Sequence, residues 1–446
     1  MTLKCFNKLG IALAALALLI LPGGAAALRG LPQDQAKPSY TMAEYNAFQA
    51  AAGEKDPAQQ IKLLDEFAAK WPNSSLLPYV YQTYWTNYTQ QKKYAQVIQY
   101  TEKYLALGDN VPPENRLQNQ LQAAYWHSVS LELAYNPKDP SSKDYLTKGR
   151  DIAVQGLQRL NQLPKPDSMT DAQFADQVKK PVSSILYSAD GFAELQLKEY
   201  KPAADAYRAL VTANPADEVS YYRLGVALLL EEPPQTMDGF WALARATALK
   251  GPVQAQAKDY LRKRISAYEQ PGCDSSVDAQ LNEMVQLAAN SPDLPAGYSI
   301  PSAADLQKIA QSSTIVTLIS DLKGGGDKAK MTWLALCGSE FPEILGKAIE
   351  VKPGTDPVEL LLFTGATPEE YDAATTANLD VKVVGQPEAA RIEKGDALRF
   401  SGTLASYDPE PAFMLHWDKA KVNPEDIPAE KGAKKGPHKI PPKKPS

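Results

Sequence analysis

The feature that most constrains this chain is a spacing of 34 residues. Tyr187 to Asp217 reads YSADGFAELQLKEYKPAADAYRALVTANPAD, and after Glu218 a second copy begins, VSYYRLGVALLLEEPPQTMDGFWALARATAL. Gly225 lies 34 residues after Gly191. In the first copy Gly191 falls where two helices must pack closely, Ala203 is small at the crossing, Tyr207 fills the space beside it, and Pro215 ends the unit. In the second, Tyr221, Leu224, Gly225 and Leu228 repeat the spacing of the first helix. A helix pair of this size cannot bury its apolar face alone, so copies must stack on one another.

Weaker copies precede these two. Asp56 to Pro72 reads as a second helix with its closing Pro. Leu77 to Asp109 places Tyr81, Trp85, Tyr88, Tyr94 and Tyr104 at aromatic packing positions. Asn115 to Tyr135 and Ser142 to Leu163 form another pair, split by the turn from Asn136 to Pro140. Asp171 to Lys179 bridges into the clear unit, and Ala255 to Glu269 supplies the polar-faced cap that an array needs.

These residues resemble the tetratricopeptide repeat (TPR), a 34-residue helix–turn–helix with small residues at fixed positions and a terminal Pro. Leu224-Gly225 and the series Tyr200, Ala203, Tyr207, Pro215 carry the likeness, which spans residues 40–270. Asp190 stands where the family usually has Leu, and Pro233-Pro234 lengthens the loop from Glu231 to Thr236. A generic helical bundle is the alternative, because helical periodicity serves both. The resemblance implies a concave groove lined by the first helix of each repeat. Its residues would be Tyr79, Gln82, Thr86, Thr89 and Gln90 in one unit and Phe192, Gln196, Tyr222 and Val226 in later ones. Tyr, Gln and Thr suit an extended peptide through stacking and amide hydrogen bonds. Set against this, an aromatic stripe at helical spacing usually packs between helices.

Residues 1–27 read as a secretory signal peptide: Lys4 and Lys8, an apolar run from Ile11 to Leu21, a Pro-Gly-Gly break, and Ala25 to Ala27. The run is short of the roughly 20 apolar residues a membrane span needs. The expectation is an exported chain, periplasmic or secreted, with no transmembrane segment after cleavage. Cys5 leaves with the signal. Cys273 and Cys337 then meet an oxidising space, where they form a disulfide or stay as two buried thiols.

Residues 271–341 read as a helical connector, with helices from Ser276 to Asn290 and Ser302 to Gln311 and a turn at Gly324 to Gly326. That glycine run lacks the Gly-Lys-Ser/Thr ending of a phosphate loop. Over 342–427 the period changes to two. Five short strands follow: Ile344 to Val351, Val358 to Phe363, Leu379 to Val384, Ala397 to Ser406 and Ala412 to Val422. They predict a small antiparallel β-barrel, and EKGDALRFSGTLASY with FMLHWDKAKV resembles OB-like modules of exported bacterial proteins. A β-sandwich-like fold is the runner-up. Residues 428–446 form a Lys/Pro-rich tail expected to be disordered, solubilising or in weak contact with an anionic envelope. The fold class expected is therefore multidomain α plus β, an α-solenoid followed by a small barrel.

Charge completes the reading. The formal net charge is -5; losing Lys4 and Lys8 makes it -7, and the tail, six Lys against Glu430, carries +5, which leaves -12 on residues 28–428. An acidic body argues against nucleic-acid binding. Three His and three Cys leave little for a metal centre. No catalytic motif or nucleotide fingerprint occurs, and a nucleophile would need His127 or His416 as its base. The expectation is a non-enzymatic scaffold without cofactor that binds a protein or peptide partner. Two alternatives stand beside it: an envelope-assembly or polymer-binding factor acting through the β domain, and a hydrolase with an unrecognised site.

Overall fold

The computed structural model describes residues 39–429 apart from 353 and 355. The signal segment 1–27 lies outside the described residues, as does all but the start of the tail 428–446. The chain divides into two compact units, one running to Lys258 and including Ala288–Leu294, the other comprising Asp259–Leu287 and the chain from Pro295.

The first unit is a succession of helical hairpins. Its helices are α1 (Met42–Gly53), α2 (Pro57–Lys70), α3 (Leu77–Gln90), α4 (Tyr94–Leu105), α5 (Arg116–Ala134), α6 (Ser142–Gln162), the short α7 (Asp171–Phe174), α8 (Lys180–Leu197), α9 (Tyr200–Ala213), α10 (Glu218–Leu230) and α11 (Thr236–Ala248). A π-helical turn, Ala175–Lys179, joins α7 to α8. Polar caps set several starts. The Thr41 side chain and Glu44 close a capping box, and Asp56 accepts the Gln59 amide at 2.8 Å just before Pro57. Each long helix packs mainly on its chain neighbours, with α6 passing to α8 and α5 also touching α8. That is the contact pattern of a solenoid. Trp85, Tyr84, Tyr104 and Phe67 fill the first hairpins.

Two glycines show why the hairpins close so tightly. A Cβ on Gly191 would stand 3.0–3.2 Å from the Tyr207 ring. One on Gly225 would meet Leu243 at 2.6 Å and the Gly239 carbonyl oxygen at 2.9 Å. Only a residue without a side chain permits these approaches.

The second unit takes in the end of α12 (Gln254–Glu269), α13 (Asp274–Asn290) up to Leu287, and α14 (Ala303–Ser312), α15 (Ile315–Gly324) and α16 (Gly326–Leu336). The turn between α15 and α16 uses Gly325 and Gly326 at φ +67° and +68°. Five strands then form a closed barrel in the order β1-β2-β3-β5-β4: β1 (Glu340–Lys352), β2 (Val358–Phe363), β3 (Leu379–Val383), β4 (Ala397–Asp408) and β5 (Met414–Val422). A short helix, α17 (Pro368–Ala373), links β2 to β3. Four neighbour pairs are antiparallel, whereas β3 and β5 run parallel. The expectation of a wholly antiparallel barrel is corrected here for a topological reason: directions cannot alternate all the way around a closed ring of odd strand number. The barrel is OB-like in size and closure.

Alternation places Val358, Leu360 and Leu362 of β2 and Leu398, Phe400 and Leu404 of β4 in the interior. Trp417 is fully buried among them. Leu318 and Leu322 of α15 and Leu336 of α16 belong to the same apolar core. Gly402 sits at a register shift between β4 and β5. Among the described residues no helix is long and apolar enough to cross a membrane.

Candidate functional site

The position where the repeat breaks its own rule lies on α8. Register by 34 residues pairs Asp190 with Leu224 and Glu194 with Leu228. In α10 both leucines are buried, at 6% and 1% exposure. In α8 the same two positions, one helical turn apart and so on one face, carry carboxyls. Glu194 is 8% exposed. Glu194 Oε2 and Asp190 Oδ1 are buried atoms without a hydrogen-bond partner. The Tyr207 ring lies against Gly191, and its hydroxyl is buried beside Arg223.

The charges around the pair explain its electrostatics. Burial pushes the Glu194 carboxyl up to about 8; Asp190 adds to this, Arg150 opposes it, and Glu199 and Asp205 add further. Burial likewise raises Asp190 to about 6, with Arg150 opposing and Asp151 adding. Arg150 of α6 gives its hydrogen bonds to Asp151, at 3.1 Å through Nε and 3.0 Å through Nη2, and lies 4.0 Å from Glu199. Across the stack, Arg223 of α10 pairs with Glu132 of α5 at 2.5 Å. Its guanidinium lies 5.8 Å from the Phe192 ring centroid. Burial pushes Tyr207 up to about 12 against the nearby charge of Arg223.

Of the residues expected to line a groove, Tyr79, Tyr222 and Phe192 belong to three separate apolar clusters. Tyr79 packs on Phe48 at 6.2 Å between ring centroids. Thr86 Oγ1 donates to the Gln82 carbonyl at 2.8 Å and Thr89 Oγ1 to that of Trp85 at 2.7 Å. Thr86, Gln90 and Gln196 are exposed, while Gln82, Thr89 and Val226 are half-buried. Phe192 belongs to the core, 8% exposed and edge-on to Tyr135. The Tyr222 hydroxyl accepts from Gln256 Nε2 at 2.7 Å. Sequence reasoning missed Glu194, Arg150, Glu132 and Arg223. The 34-residue register carried the signal for Glu194; nothing local marks the other three.

In the second unit Cys273, just before α13, and Cys337, just after α16, are joined by a disulfide with Cα atoms 5.6 Å apart. Gly272 permits the approach: a Cβ there would lie 2.1 Å from the Cys337 carbonyl oxygen. Also in this unit, Glu269 is 1% exposed, both its oxygens lack hydrogen-bond partners, and burial pushes it up to about 7 against the charge of Lys330. His416 on β5 sits between Asp380 (Nδ1 to Oδ2, 2.8 Å) and Asp408 (Nε2 to Oδ2, 2.9 Å). Burial opposes its protonation, but hydrogen bonds to Asp408 and Asp380 and their charges outweigh burial and raise it. His127 is buried on α5, 3.5 Å from Glu102. Among the described residues no group of three His, Cys, Asp or Glu is placed to hold a metal ion. No protein-family model and no curated protein matches the chain.

Proposed function

We propose that this chain is an exported, non-enzymatic binding protein of the TPR type that holds an extended protein or peptide partner along its helical stack. The observation that carries the reading is the 34-residue repeat that keeps its packing at Gly191 and Gly225 yet gives two core positions to carboxyls in one copy only. Burying a carboxyl costs free energy that a leucine at the same place would not. A stack that accepts this cost at one repeat is suited to recognition there. Exposed Thr86, Gln90 and Gln196 supply polar contacts along the helices. The Cys273–Cys337 disulfide suits the oxidising compartment that residues 1–27 imply.

Affinity capture with the full mature chain tests this. Changing Gln82, Thr86 and Gln90 together to Ala, or Asp190 and Glu194 together to Leu, abolishes capture of partners if the stack binds them. A second reading, an envelope-assembly or polymer-binding role carried by the barrel, draws on Leu345 and Val384, which are 40% and 41% exposed there. It requires that Leu345→Asp and Val384→Asp abolish capture while the stack variants retain it.

A further inference from the structure

The acid pair of α8 points to what the stack would recognise. The groups facing Glu194 are Asp190 on its own helix, Arg150 on α6, Glu199 before α9 and Asp205 on α9, while Asp151 of α6 and Tyr207 of α9 face Asp190. Glu132 of α5 and Arg223 of α10 lie beyond Tyr207 and neutralise each other. Five acids, Glu194 included, thus share one arginine, and that arginine directs its hydrogen bonds to Asp151. Glu194 Oε2 and Asp190 Oδ1 are left without a donor, among acids that outnumber the one arginine near them.

We propose that Asp190 and Glu194 form the receptor for one cationic side chain, the ammonium of Lys or the guanidinium of Arg, carried by the peptide that the helical stack holds. The proposal rests on the peptide-binding reading. A cation brought between the two carboxyls supplies the missing donors and the missing charge together, which is the condition under which buried carboxylates are tolerated. Near neutral pH Glu194 keeps its proton, so entry of the cation is an exchange: the carboxylic acid becomes a carboxylate paired with the ammonium or guanidinium, and the proton passes to the solvent buffer. Binding therefore strengthens as pH rises. The next repeat has Leu224 and Leu228 at the equivalent places and cannot perform this exchange, so the cation is read at the first of these two repeats and not at the second.

The test is calorimetric titration of the full mature chain with a short peptide of alternating Lys and Ser, and with counterparts carrying Gln or Glu in place of Lys. Runs in two buffers of different ionisation enthalpy count the protons released. The expected result is binding of the Lys peptide with proton release, at least about tenfold tighter than the Gln peptide. Glu194→Gln, isosteric and checked for unchanged circular dichroism, weakens the Lys peptide by about tenfold or more and removes the buffer dependence. Asp190→Asn weakens it as well. Asp372→Asn, an exposed acid on the barrel, changes nothing. Equal binding of the Lys peptide by wild type and Glu194→Gln overturns the proposal, as does equal binding of all three peptides; in the latter case peptide binding itself stands. Binding of none of the peptides overturns both readings.

Discussion

Glu194 makes the stability of the helical stack depend on pH in a direction opposite to that of most carboxylates. Its carboxyl is raised from an ordinary 4.5 to about 8 in the folded chain. The folded state therefore holds the proton more tightly than the unfolded state. Stability is greatest below about pH 4.5, falls as pH rises, and has lost its full increment above about pH 8. At 1.36 kcal/mol per tenfold change in proton affinity the span is about 5 kcal/mol, and water reaching the rim of the site reduces it to about 2–4 kcal/mol. Glu194→Gln removes the ionisation, and Glu194→Leu also restores the packing of the next repeat. Urea unfolding followed by far-ultraviolet circular dichroism at about pH 5 and about pH 8.5 reads the effect. Both variants match or slightly exceed wild type at the lower pH and unfold at a midpoint about 1 M higher at the upper. Wild-type and Glu194→Gln midpoints that move in parallel between the two pH values would refute the argument, because the carboxyl would then titrate as it does in the unfolded chain.

Other perturbations follow from the same geometry. Gly225→Ala drives a Cβ into Leu243 and the Gly239 carbonyl and lowers unfolding stability by about 1–3 kcal/mol, measured by urea midpoint. Gly53→Ala, with nothing within 4 Å, serves as its neutral control. Replacing Cys273 and Cys337 together by Ser removes a cross-link over 64 residues and costs about 4 kcal/mol by loop entropy, visible as a drop in the Tm of the unit that contains the barrel. His416 contributes stability below its ordinary pKa, about 6.5, and loses it as pH rises through the raised folded value. Asp408→Asn lowers the His416 pKa in an NMR titration, and an unchanged titration would sink the account of the Asp–His–Asp bridge.

Helices and strands were legible because their signals are local. The spacing of Gly191, Tyr207 and Gly225 announced tight hairpins, and each of those residues makes the close approach its position requires. The change from helical to alternating period located the strands to within a few residues; β1 starts at Glu340 and β4 ends at Asp408. Trp417, which fits either barrel wall or rim by pattern alone, is interior because β5 places it across from Leu404 and Val381. The expected groove was stated only as a set of helix positions. Which of them face solvent depends on neighbours far along the chain, and Phe192 is lost to the core because Tyr135 and Arg223 cover it.

By itself, then, the sequence determined the helix pairs, their 34-residue period, the switch to a β region and the places where glycine is obligatory, since all of these follow from dihedral preference and side-chain periodicity within a few turns. The tertiary structure decided the rest. The parallel β3–β5 seam follows from closing an odd-stranded ring. The bridge from Glu132 to Arg223 joins residues 91 apart in sequence. The meaning of Asp190, a departure from pattern when read along the chain, emerges only with Glu194, Arg150 and Tyr207 around it. A carboxyl's charge state is set by burial and by neighbours from other helices, and neither quantity is written in the residues beside it.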